Sequence, residues 1–294
     1  MPNYQGIFTM KHPFHLIDLV TLKKVASLFA GNYRTSFQGS GMEFSDIREY
    51  TIGDATSDID WKTTARTGKV FIKKYEEDRE RKVLFVVDMG ASMRFGSGSR
   101  TKFDTLSELF SILSFSSVEN GDPMGTWLFS DCILTSGEVK KGTAHLGRIR
   151  ALFDRFRMIE SPVESTLIVP IEELARRAIK NHLVFIFTDS LDLPNEQKLR
   201  ALGAQNDMVF VHVFDTFENT LEASYMVHIV TTKKDLYIDA SDALKKKEYR
   251  DRRSEAIEAF RKKLQKLGWS YLALDESKNT YRMLYDFFKG RQGR

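Results

Sequence analysis

Five consecutive apolar residues, Val83-Leu84-Phe85-Val86-Val87, run straight into Asp88-Met89-Gly90-Ala91-Ser92. A short run rich in Val and Phe reads as a buried strand, and the acidic and small residues behind it mark its end. This puts a carboxylate and a hydroxyl at the carboxyl end of a strand, where open α/β sheets hold their ligands. A second strand, Leu183-Val184-Phe185-Ile186-Phe187, stops in the same way at Thr188-Asp189-Ser190, and between the two Ser165-Thr166 precedes a helical stretch. Two carboxylates and two hydroxyls from three loops form an oxygen-only set suited to a hard divalent cation. The alternative, which the oxygen-only set outweighs, is that Asp88 and Asp189 merely cap the helices that follow them.

Strand and helix signals alternate from Asp88 onward, which predicts a mostly parallel sheet with crossover helices on both faces. Phe103, Leu106, Phe110 and Leu113 recur at helical spacing, followed by strands at 125–129 and 133–134. Further helices are expected along Leu146 to Phe156, along Ile171 to Ile179 with Pro170 in the first turn, and from Glu196 to Ala204. The run Met208 to Phe214 is the most strand-like of the later half. Strands near 226–230 and 271–274 are expected to finish the sheet, with a closing helix over 281–288. The organisation predicted is a helical segment over 1–35, a small β-rich extension over 36–82 and an α/β domain over 83–290. In the first segment, residues 14–30 suggest one amphipathic helix. In the extension, β-type runs stand at Glu49-Tyr50-Thr51-Ile52 and Val70-Phe71-Ile72.

The extension carries the more specific pattern: Gly41-Met42-Glu43-Phe44-Ser45-Asp46-Ile47-Arg48-Glu49-Tyr50, then Gly53-Asp54, Ile59-Asp60-Trp61 and Ala65-Arg66. This series resembles the signature of a bacterial family, the domain-of-unknown-function family fifty-eight. In that family the signature runs directly into a Rossmann-like von Willebrand factor A domain. The resemblance covers about residues 35–290. The loops at Asp88, Thr166 and Asp189 in turn resemble the metal-ion-dependent adhesion site of von Willebrand factor A domains, which implies that Asp88 and Ser92 match the first loop, Thr166 the second and Asp189 the third, holding Mg2+ or Mn2+. An acidic group of a partner protein would complete the shell. Gly90 stands where the adhesion-site pattern has a Ser, which removes one hydroxyl, and Ser57 stands where the family usually has Arg. The family resemblance also implies partnership with a MoxR-type AAA+ ATPase in chaperone-like maturation or assembly of a client complex. It supplies no established reaction. From the residues alone, Asp54, Asp58 and Asp60 are turn formers and Trp61 is core or functional surface.

Other chemistries find less support. A phosphoester hydrolase of the haloacid-dehalogenase type would use Asp88 as nucleophile, but its acid/base two residues on is Gly90. No catalytic residue is therefore assigned. Gly96-Ser97-Gly98-Ser99-Arg100-Thr101-Lys102 is a flexible glycine-rich turn rather than a phosphate loop. The six His are scattered without zinc spacing. The basic stretch from Ala243 to Leu267 reads as a solvated helix packed along one side through Leu244, Ile257, Phe260, Leu264 and Leu267. It could also attract an acidic protein. It lacks the interleaved aromatics of a nucleic-acid surface. A net charge of +4 is too small to argue for nucleic acid by itself, and the single cysteine, Cys132, expected to be buried beside a strand and inert, suits a reducing cytoplasm. No run reaches the roughly 18 apolar residues of a membrane span. Peripheral docking on other proteins at a membrane stays open.

Overall fold

The computed structural model describes residue 27 and residues 43–51, 54–76, 82–158, 163–194, 196–229, 236–275 and 277–291. Apart from Ser27, the helix expected over 14–30 lies outside them. The chain divides into two compact units, one spanning Thr35–Glu80 and the other the remainder.

In the smaller unit, β1 (Glu43–Glu49) pairs antiparallel with β2 (Phe71–Glu76), with an irregularity between Phe44 and Asp46. The strand expected at 49–52 therefore ends where it was thought to begin. Beyond Glu49 the chain turns: Asp54 accepts the Thr51 N–H at 2.8 Å and a 2.6 Å hydrogen bond from the Arg48 guanidinium. Arg48 holds the Asp54 carboxyl below the usual carboxylate range. Asp60 caps α1 (Trp61–Thr67), and Gly68, at φ 74°, ends it in the left-handed conformation that glycine adopts without strain. Much of the signature thus builds turns and caps. Trp61 is not core: it is 69% exposed.

The larger unit is built on a six-stranded sheet in the order β10-β7-β6-β3-β4-β5. These strands are β3 (Lys82–Asp88), β4 (Met124–Phe129), β5 (Ile133–Ser136), β6 (His182–Thr188), β7 (Asp207–Phe214) and β10 (Ser270–Asp275). All pairs are parallel except β4 with the edge strand β5. The chain starts in the middle at β3, works outward through β4 to β5, then crosses over to β6 on the other side. The strand order therefore reverses between β3 and β6, which makes the crevice at their carboxyl ends the switch point of the sheet.

Both faces are covered, which explains the unbroken apolar runs. On one face Val83, Phe85 and Val87 pack with α2 (Lys102–Glu119), α3 (Thr143–Met158) and α8 (Thr280–Arg291). On the other, Leu84 and Val86 pack with α4 (Ile168–Arg176), α5 (Glu196–Gln205) and α7 (Ala243–Lys266). A Thr101–Asp104 capping box starts α2, and the hydroxyls of Ser107, Ser111, Ser116 and Ser117 fold back onto carbonyls four residues earlier. Their polar atoms are satisfied within the helix itself, so these small side chains can be buried.

Three expectations need correction. The strand β8 (Met226–Ile229) does not join the main sheet; it pairs antiparallel with β9 (Leu236–Asp239), which has no clear sequence signal. This hairpin and the preceding short helix α6 (Thr216–Thr220) share a small core of Leu221, Ala223, Val227 and Ala240. In α7 the buried residues are Phe260 and Leu264, whereas Leu244 is exposed. Cys132, in the turn between β4 and β5, is exposed rather than buried.

Candidate functional site

Asp88 closes β3 and is completely buried at the switch point. Its Oδ1 accepts the Gly90 N–H at 2.8 Å, and its Oδ2 accepts the hydroxyls of Ser165 and Thr188, each at 2.6 Å. Burial and the charge of nearby Asp189 nevertheless push the Asp88 carboxyl up to about 7. Thr188 reaches Asp88 because β3 and β6 run parallel in register, Val87 opposite Phe187, so both strand ends present the same face. Ser165 reaches it because residue 90 is glycine. A Cβ there would stand 2.9 Å from the Cβ, Oγ and N of Ser165. A neighbouring loop thus supplies a hydroxyl beside the residue that lacks one.

Asp189 follows β6, and its Oδ2 accepts a 2.6 Å hydrogen bond from the Lys102 ammonium. Lys102, at the start of α2, has no exposed side-chain surface; it donates a second 2.6 Å bond to Glu218 of α6 and lies over the Phe95 ring at 5.8 Å. Burial pulls this ammonium down, but Asp189 and Glu218 more than offset that and hold it above its usual range. The other carboxylate oxygen of Glu218 accepts the Asp215 N–H. Asp215 in turn takes the N–H and hydroxyl of Ser97 at 2.6 and 2.7 Å. The glycine-rich turn is therefore tied to α6, where the sequence suggested a flexible loop. On β7, His212 is buried and pushed down to about 3 by burial; its Nδ1 pairs with the Tyr271 hydroxyl and its Nε2 has no partner among the described residues.

Asp189 stands near enough for its charge to act on Asp88, and Ser92 lies in the 3-10 turn Ala91–Arg94 that follows Asp88. Thr166, two residues before α4 begins, accepts the Ile168 N–H at 3.3 Å. Met93, in the same turn as Ser92, is fully buried core. Ser165 and Thr188, which the sequence offered only as neighbours of the assigned ligands, and Lys102 and Glu218 are the residues whose roles sequence reasoning missed. The first two adjoin named residues, and the parallel register would have pointed to Thr188. Nothing local marks Lys102 or Glu218, which arrive from α2 and α6.

The donor chemistry fits a hard dication held partly by water. Every group is an oxygen, the half-buried Ser92 hydroxyl has no partner among the described residues, and a cation would relieve the repulsion between Asp88 and Asp189. No group of three or more His, Cys, Asp or Glu gathers among the described residues, so hydroxyls and water would have to complete the shell.

The family model described as "Protein of unknown function DUF58" matches residues 46–259, most of the chain. The chain belongs to this family. An uncharacterized protein of Mycobacterium bovis is 26% identical over 200 residues, covering 68% of this chain and 63% of its own length. The chain therefore spans less than two thirds of that relative. Among solved structures, it is similar to an aerotolerance-related membrane protein from Bacteroides fragilis, at TM-score 0.46 and 12% identity over 71% of this chain and 99% of the other. It is also similar to the SpRpn10 VWA domain, at TM-score 0.42 and 11% identity over 71% and 95%. Among the described residues no helix is long and apolar enough to cross a membrane.

Proposed function

We propose that this DUF58 protein is a non-enzymatic interaction module whose switch-point crevice docks an acidic group of a partner protein. The observation that carries this reading is the gathering of Asp88, Asp189 and several hydroxyls at the carboxyl edge of a mostly parallel sheet. Asp88, Ser92, Thr166 and Asp189 would hold Mg2+ or Mn2+, with Ser165 and Thr188 orienting Asp88 from behind. Bound there, the cation supplies an open coordination position that attracts a carboxylate once water is excluded. A MoxR-type AAA+ ATPase, or the client it remodels, is the partner the family pattern suggests. The exposed Lys245 and Lys247 at the start of α7 would steer an acidic surface toward this edge.

A hydrolase is the weaker reading. A nucleophilic carboxylate must be ionised and open to substrate, whereas Asp88 is buried, hydrogen-bonded at both oxygens and pushed toward its protonated form. Residue 90, where an acid/base would stand, is glycine.

The deciding experiment is calorimetry of wild type and Asp88→Asn with MgCl2 and MnCl2, paired with binding to a purified MoxR-type ATPase. We expect weak metal binding that Asp88→Asn abolishes, and complexes that chelator or Asp189→Ala weaken roughly tenfold or more. Equal binding of the ATPase by all forms would overturn metal-dependent docking. Metal-dependent turnover of phosphate esters, lost in Asp88→Asn, would overturn the non-enzymatic reading.

A further inference from the structure

We infer that Lys102 is a tethered internal cation that competes with a bound dication for Asp189 and shifts onto Glu218 when the dication enters. The inference rests on the metal-site reading above but concerns a residue outside the expected ligand set. Lysine is almost never fully buried without a partner, because an uncompensated ammonium in the interior is costly. Lys102 has two partners, and they come from different elements: Asp189 from the end of β6 and Glu218 from α6, both at 2.6 Å.

That division of partners has a consequence. Asp189 is the carboxylate shared between the ammonium and the proposed metal, and two cations on one carboxylate repel each other. Glu218 is held apart from the exchange. Its second oxygen is fixed by the Asp215 N–H, and its backbone carbonyl accepts the Tyr249 hydroxyl of α7 at 2.7 Å. When a dication takes Asp189, Lys102 keeps Glu218 and the Phe95 ring face, so the ammonium is never left alone. Without a dication, Lys102 supplies the positive charge that Asp189 needs. The site is thus stable with or without metal, and its metal affinity is set low by its own lysine.

The test is thermal unfolding and calorimetry of wild type, Lys102→Met and the double variant Lys102→Met/Glu218→Gln, in chelator and in millimolar MgCl2. The double variant leaves no stranded Glu218 charge and carries the measurement if the single variant fails to fold. We expect MgCl2 to raise the melting temperature of wild type only slightly, because its binding is weak. The variants should melt lower in chelator, recover in MgCl2, and bind Mg2+ roughly tenfold or more tighter than wild type. Equal Mg2+ affinity in wild type and variants would overturn the competition while leaving the metal site standing. Variants that are destabilised without recovery, beside a wild type that binds Mg2+, would reduce Lys102 to a structural ion pair and overturn the inference. Absence of Mg2+ binding in every protein would overturn the metal-site reading, and the inference with it.

Discussion

Asp88→Ala is expected to destabilise the larger unit by about 3–5 kcal/mol, and Asp88→Asn by far less. The Ala variant strands the Ser165 and Thr188 hydroxyls and the Gly90 N–H, all of which point at the carboxylate. Asparagine keeps the shape. Its carbonyl can still accept the Gly90 N–H, and the two hydroxyls can rotate to accept from its amide. Wild type should also show a pH dependence that Asp88→Asn lacks. The folded carboxyl is raised, chiefly by burial and next by Asp189, to about 7, above its ordinary value of 3.8 in the unfolded chain. The folded state therefore binds a proton between these values that the unfolded state has released. The stability this contributes is fully present below about pH 4 and is lost as pH rises through about 7, at roughly 1.4 kcal/mol per pH unit crossed. Urea unfolding of both proteins at pH 5 and pH 8 measures it. Identical pH dependence would show that Asp88 is already ionised in the fold, held by its three donors. A dication at the site favours the ionised form, so MgCl2 should raise wild-type stability at pH 8 more than at pH 5.

The difference between Asp88 and Lys102 explains how much of this molecule the sequence disclosed. Strands buried on both faces leave a one-dimensional trace, so β3, β6 and β7 and the residues at their ends were legible directly. The helices α2 and α7 were legible through their periodicity and charge. The carboxylate partners were not, because they depend on which loops the sheet order brings together. Lys102 sits after a glycine-rich turn and Glu218 in a five-residue helix, and only the fold makes them neighbours of Asp189. The β8–β9 hairpin was misplaced for a related reason: a four-residue strand carries no record of its partner. Cys132 was misread because residue type alone suggested burial, whereas a tight turn at a sheet edge left it outside.

Gly90→Ser restores the serine that the adhesion-site pattern would place there, and it is expected to cost about 1–3 kcal/mol instead of improving the site. Backbone strain is not the reason, since Gly90 has φ −63° and ψ 165°, open to any residue. The obstacle is Ser165, whose Cβ, Oγ and backbone N would each lie 2.9 Å from the new Cβ. Gly90 and Ser165 thus act as one unit: the missing side chain makes room for the hydroxyl that Asp88 accepts from the neighbouring loop. Ser165→Gly alone should lose that hydrogen bond, worth about 1 kcal/mol. The double variant Gly90→Ser/Ser165→Gly removes two of the three close approaches and offers Asp88 a hydroxyl from its own loop. Its destabilisation should therefore fall short of the sum of the single effects by about 1–2 kcal/mol, as expected for residues in direct contact. Denaturant unfolding of the four proteins closes the cycle. Additive effects would mean that the loop bearing Ser165 simply moves away, and that the hydroxyl beside Asp88 is not tied to the glycine at residue 90.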